Sequence, residues 1–267
     1  MLRDITLGQY YPVDSPLHRL DPRTKILMTI GFVVAVFLVT QVWGYLVVLA
    51  FLAYTIHISR IPVKLMLRSL RPLRILLIFT FVLNLFFGSG GTELLRLGFV
   101  VIRSEGLNNA VHFSMRLVFL VVGSSLLTLT TAPVTLTDGI EKLASPLKRI
   151  GFPAHEMAMM MTIALRFIPT LTEEADKIMK AQSARGADFT SGNLKQRATA
   201  MIPLLVPLFV SAFRRAGDLA MAMESRCYRG GEGRTRLHVL KTGHKDWLAV
   251  ASMAVLYAVV LLMARYV

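Results

Sequence analysis

Between Ile26 and Ser59 the chain runs for 34 residues without one Asp, Glu, Lys or Arg. As a single helix this run would extend roughly 50 Å, well past a hydrocarbon core of about 30 Å. The interruption Gln41-Val-Trp-Gly44, with a tryptophan suited to a membrane interface, divides it into two short spans. His57, near the end of the second, has no spaced partner and reads as an interfacial or packed residue. Three more uncharged stretches follow: Ile75–Thr92, Leu117–Thr137 and Trp247–Ala264. With 54% hydrophobic residues gathered into such runs, the chain reads as an all-α integral membrane protein of about five transmembrane helices.

The net charge of +14 fits nucleic acid as a class of partner, but its distribution argues against that. Residues 1–25, 60–74 and 133–245 hold 26 of the 30 Lys and Arg, and these segments alternate with the apolar runs. That pattern is the positive-inside signal of a multi-pass membrane protein, here with a cytoplasmic N-terminus. Met1–Lys25 is polar and Pro-containing, unlike the apolar core of a cleavable signal. The single cysteine, Cys227, excludes an internal disulfide framework.

Three parts are expected: a membrane part at 1–132 with four spans, a cytoplasmic domain at 133–236, and a last span at 237–267. In the first part, the basic stretch from Ile61-Pro62 to Arg74 fits a cytoplasmic connection. Asn84 is expected to bond across to a neighbouring helix. Gly88-Ser-Gly-Gly91 reads as a turn, Glu93–Gly106 as an outside loop, and Arg116 as a side chain snorkelling from a span's outer end. After Pro133 the texture changes. Thr137-Asp-Gly-Ile-Glu141 has the N-cap and early acids of a short helix ending near Lys148–Gly151. Two segments of 33 residues, Pro153–Arg185 and Leu194–Arg226, then read as long helices joined by a short polar loop, making three helices in all, the two long ones crossed. Ala198–Phe213 is uncharged over 16 residues but holds Pro203 and Pro207 at one-turn spacing. It reads as a helix on the membrane surface, buried against protein, because it would reach only about 24 Å.

The two long helices close alike, on Lys180-Ala-Gln-Ser-Ala-Arg-Gly-Ala187 and Met223-Glu-Ser-Arg-Cys-Tyr-Arg-Gly-Gly231. Singly, each is an ordinary helix end, with a cation complementing the dipole and a small residue at the cap. As a pair at opposite ends of a turned-back support, Arg185 and Arg226 suit a two-point plug for two similar partners. Met157, Met159, Met160 and Met161 either pack a core or form an adaptable apolar platform. No G-x-x-x-x-G-K-[ST] loop occurs, and His155-Glu156 lacks the second histidine of a zinc-protease helix, Met159 standing in its place. The other histidines form no metal set, and no cofactor is expected.

Several motifs together resemble the transmembrane T component of energy-coupling factor (ECF) transporters, a class of ABC-type importer. They are Leu7-Gly-Gln-Tyr10, Leu20-Asp-Pro-Arg-Thr-Lys25, Ala164-Leu-Arg-Phe-Ile-Pro169, Ala184-Arg-Gly-Ala-Asp-Phe189, Pro203-Leu-Leu-Val-Pro207, Phe213-Arg-Arg215 and Tyr228-Arg-Gly-Gly231. The resemblance implies a scaffold for two cytosolic ABC ATPases and a substrate-binding S component, in the cell membrane of a prokaryote, with ATP hydrolysed by the partners. It implies ATPase contacts at Ala184, Arg185 and Gly186, and at Ser225, Arg226 and Cys227. The second set departs from the family's Ala-Arg-Gly at both flanks, and cysteine lacks glycine's freedom at positive φ. The methionine cluster with Pro203 and Pro207 is the expected S-component contact. Shared vitamin uptake is expected over a T component dedicated to cobalt or nickel. A membrane enzyme lacks a convergent catalytic set, and a secondary transporter would call for inverted repeats and a polar midplane site, neither of which is visible.

Overall fold

A computed structural model of the chain describes residues 10–87, 90–97, 100–187, 189, 193–231 and 240–266. Helices dominate. In order they are α1 (Pro22–Leu38), α2 (Gly44–Ser59), α3 (Val63–Arg68), α4 (Arg74–Phe87), α5 (Ser104–Thr130), α6 (Pro133–Ala144), α7 (Ala154–Ala184), α8 (Leu194–Ser225) and α9 (His244–Tyr266). A 3-10 turn at Ser145–Ile150 follows α6. The chain divides into two compact units, Gly8–Ile140 with Val239–Val267, and Glu141–His238.

The first unit is a bundle around Val36, Val48, Leu52, Phe119, Leu129 and Leu256, drawn from α1, α2, α5 and α9. Helices in lipid gain little from excluding water, so close approach of backbones matters more. Gly123 on α5 provides it: a Cβ there would stand 2.3 Å from the Phe32 ring of α1. The outside of the bundle is apolar. α4 buries none of its residues, and Ile75 and Phe87 are 78% and 80% exposed. An apolar exterior of this kind belongs in hydrocarbon. Among the described residues three helices are long and apolar enough to cross a membrane, over Ser104–Thr130, Thr199–Ser225 and His244–Arg265, while Gly44–Ser59 and Arg74–Phe87 are shorter apolar helices.

One end of the bundle is tied by polar bonds. Asp21 caps α1 by accepting from the Arg23 amide (2.9 Å), and its own amide donates to Asp246 Oδ1 at the start of α9 (2.9 Å). Lys25, buried just ahead of the apolar run, donates from Nζ to the carbonyls of His18 (3.0 Å) and Thr130 (2.9 Å). The Tyr11 amide donates to the Leu129 carbonyl (2.9 Å). From Tyr11 to Asp21 the chain is therefore a structured strap, and from Pro22 it already belongs to α1.

Five local expectations are corrected. Asn84 Nδ2 donates to the Thr80 carbonyl of its own helix (2.8 Å), not to a neighbour. The stretch read as a loop after Thr92 is an antiparallel hairpin, β1 (Glu93–Leu97) with β2 (Val100–Arg103). α5 starts at Ser104, 13 residues before the apolar run, because Asn108, Asn109 and His112 hide a helix from a hydropathy reading. Arg116 thus lies inside α5, over the Phe37 and Phe113 rings at 5.1 and 5.8 Å. α6 starts at Pro133, not Thr137, whose hydroxyl donates back to the Pro133 carbonyl (2.9 Å) and so does not cap. Leu7–Gln9, Gly88-Ser89, Gly192, Gly233 and the boundary at 236/237 lie outside the described residues.

In the second unit α7 and α8 pack antiparallel. Arg215 Nη2 of α8 donates to Glu174 Oε2 of α7 at 2.9 Å. Alongside, Ile163, Phe167 and Leu171 of α7 and Ala212, Ala216 and Ala220 of α8 line an apolar groove of about 290 Å3. The expected burial of Ala198–Phe213 against protein is not met among the described residues. Leu204 is buried, but Ile202, Val206, Phe209 and Phe213 are 54%, 58%, 60% and 75% exposed.

Candidate functional site: two cationic helix ends

α7 and α8 end on the same hydrogen-bond pattern. At the first end the amides of Arg185, Gly186 and Ala187 donate to the carbonyls of Gln182, Ser183 and Gln182, each at 3.0 Å. At the second, the amides of Arg226, Cys227 and Tyr228 donate to Met223, Glu224 and Met223 at 3.2, 2.8 and 3.0 Å. The last amide reaches five residues back, which is the Schellman closure and needs a left-handed residue one position earlier. Gly186 fills that position at φ +90 and Cys227 at φ +56. The cysteine departure therefore leaves the turn as tight as the glycine one. Its cost is of the order of 1–2 kcal/mol, because Cβ crowds the carbonyl in that conformation.

All six residues, Ala184, Arg185, Gly186, Ser225, Arg226 and Cys227, are exposed. The ends stand apart, as antiparallel packing requires. The 31 residues of α7 separate them by roughly 45 Å. Between them the Glu174 carboxyl is held below its usual range, first by a hydrogen bond from Ser211 and then by Arg215.

His155 holds the second end against the start of α7. Its Nδ1 lies 3.1 Å from Glu141 Oε1 and its Nε2 3.4 Å from the Tyr228 hydroxyl. A Cβ on Gly231 would stand 2.4 Å from the imidazole ring, so Gly231 lies close against it. A cavity of about 520 Å3 beside this contact is lined by Lys148, Phe152, Glu156 and Arg229. Sequence reasoning met His155 only as half of a failed zinc motif, and no spacing in the chain pairs positions 155 and 228. Among the described residues no three His, Cys, Asp or Glu are grouped to hold a metal ion.

The methionine cluster is largely exposed. Met157, Met160 and Met161 are 42%, 57% and 52% exposed, and Met159 is half-buried. Pro203 and Pro207 are exposed within a continuous α8. Together these residues form no core.

The family model described as "Cobalt transport protein", CbiQ, matches residues 14–237 and so includes both helix ends. The energy-coupling factor transporter transmembrane protein EcfT of Thermosediminibacter oceani is 56% identical over 266 residues, covering 100% of each chain. The chain belongs to the ECF transporter T-component family. Proteins of the same name from Clostridium kluyveri and Bacillus subtilis are 52% and 46% identical, covering 98% and 97% of this chain and 97% of each relative. As a T component, the chain is a transmembrane part of a transporter, and the membrane-enzyme alternative has no support from relatives of full length.

Proposed function

We propose that this T component couples ATP hydrolysis, carried out by two cytosolic ABC ATPases, to a substrate-binding S component that imports a vitamin or another micronutrient. Arg185 and Arg226 are the ATPase plugs, flanked by Ala184 and Gly186, and by Ser225 and Cys227. The observation that carries this reading is the repeated closure: two exposed arginines on matching turns at opposite ends of one antiparallel pair. An arginine fork suits a force-bearing joint, because it makes paired charged bonds to carboxylates in fixed geometry. The exposed methionines, with Pro203, Pro207 and the apolar face of α8, offer the S component a surface that can re-pack against different shapes. The proposed setting is a prokaryotic cell membrane, with five spans, the N-terminus inside and α7 and α8 on the cytoplasmic side.

Copurification tests the joints. Arg185→Glu and Arg226→Glu should each lower uptake, and the double variant should release both ATPases. Truncating one partner of a buried charge pair costs about 2–5 kcal/mol, and reversing its sign adds repulsion. Full assembly by the double variant refutes the plugs. The family model's description favours one second reading, a T component dedicated to cobalt or nickel. Identifying the copurified chains and their bound solute separates the two.

A further inference from the structure

In the membrane unit the end of α2, α3 and the middle of α5 enclose an apolar trough of about 780 Å3. That is within the roughly 300–1,000 Å3 of ligand pockets. Its floor is the bundle core itself: Leu52, Ile61, Met66, Phe119 and Val122 are all buried. Its mouth is basic. His57 and Arg60 line it, three residues apart at the end of α2, and both are exposed. Arg60 takes the left-handed conformation at φ 57, where the chain leaves α2 for α3. Lys64, Arg68, Arg71 and Arg74 follow, all exposed, with no acid between Arg60 and Arg74. The acid that feels Arg60 is Asp14, which the Arg19 guanidinium already clamps through both carboxylate oxygens.

A greasy trough under a guanidinium is complementary to an acyl chain under a phosphate. A neighbouring helix would fill the trough and leave the basic rim unmatched. A zwitterionic lipid brings the same phosphate with a cation of its own, which the Arg60 guanidinium at the mouth disfavours. Clusters of Lys and Arg at the end of a membrane span attract acidic headgroups by charge. We propose that this trough seats one acyl chain of an acidic phospholipid whose phosphate is held at Arg60.

The full-length chain, purified in detergent with the subunits that travel with it, is exchanged against equal amounts of phosphatidylglycerol and phosphatidylcholine of identical acyl chains. Bound lipids are then counted by native mass spectrometry. The wild type should retain phosphatidylglycerol over phosphatidylcholine by about fivefold or more, the worth of one basic residue near an acidic headgroup. Arg60→Asn should bring the ratio to near parity, since asparagine tolerates the left-handed conformation and removes only the charge. Ala53→Phe, on the exposed lip of the trough, should lower retention of both lipids, and Lys142→Gln should change neither. Equal retention of the two lipids by the wild type overturns the proposal. So does a preference that survives Arg60→Asn, or retention that Ala53→Phe leaves unaltered.

Discussion

Cys227 carries the left-handed turn that glycine fills at the other helix end, and the two positions can be exchanged on paper. Cys227→Gly should keep the turn and relieve crowding of about 1 kcal/mol, leaving assembly intact. Cys227→Val should open the closure, because a β-branched residue at positive φ is a genuine outlier, and Arg226 should then lose its hold on a partner. The exposed thiol should react with a maleimide in the isolated chain and slow sharply once ATPases bind. Equal labelling rates in the two states would place Cys227 away from the joint. Lys25 supplies a pH signature at the other extreme of exposure. Burial lowers its pKa from 10.5 to about 8, against the pull of Asp246 and Asp21. Between those values the unfolded chain holds a proton that the folded chain lacks, so stability should rise as pH climbs from about 8 toward 10.5. Thermal unfolding in detergent at stepped pH, compared with Lys25→Met, reads this directly: the wild type should gain on the variant across that window and run parallel below it.

At the scale of elements, the α1–α5 contact is a glycine contact and should be intolerant of a single methyl group. Gly123→Ala sets a Cβ against the Phe32 ring and should cost about 1–3 kcal/mol as overpacking. Phe32→Leu should recover part of that loss in the double variant, as expected of residues in contact, while additive losses would mean the helices do not meet there. The elements also explain which features were legible in sequence. The closure of α7 was, because Gly186 acts locally on its own turn, whereas the equally tight α8 closure on Cys227 runs against cysteine's preference and is evident only in the structure. The start of α5 was not, since hydropathy registers apolar residues and Ser104–Arg116 is mixed. The start of α6 was misjudged for a related reason: Thr137 caps a helix or back-bonds within one, and the residues around it suit both. The His155–Tyr228 contact depends on α8 returning along α7, a tertiary fact that no local pattern carries. The trough between α2, α3 and α5 is of the same kind, although the basic stretch that begins with Arg60 at its mouth is plain in the chain.

For the whole molecule, the open topological question is α8. Thr199–Ser225 has the length and hydropathy of a span, yet it carries Pro203 and Pro207 one turn apart and the charged α7 is packed along it. On the five-span reading α8 stays at the membrane surface. Cysteines at Gly192 and Gly233, introduced with Cys227→Ser, should therefore both react only from the cytoplasmic side. Labelling from opposite sides would make α8 a span and add a sixth crossing. Either way, the apolar face of α8 from Met201 to Phe213 is largely uncovered among the described residues, and a face of that kind is an association site or an aggregation liability. A partner that covers this face adds its burial free energy to the chain's stability by mass action. The cell's supply of partners then sets how much of this chain survives proteolysis, which makes subunit stoichiometry a property written into one helix face.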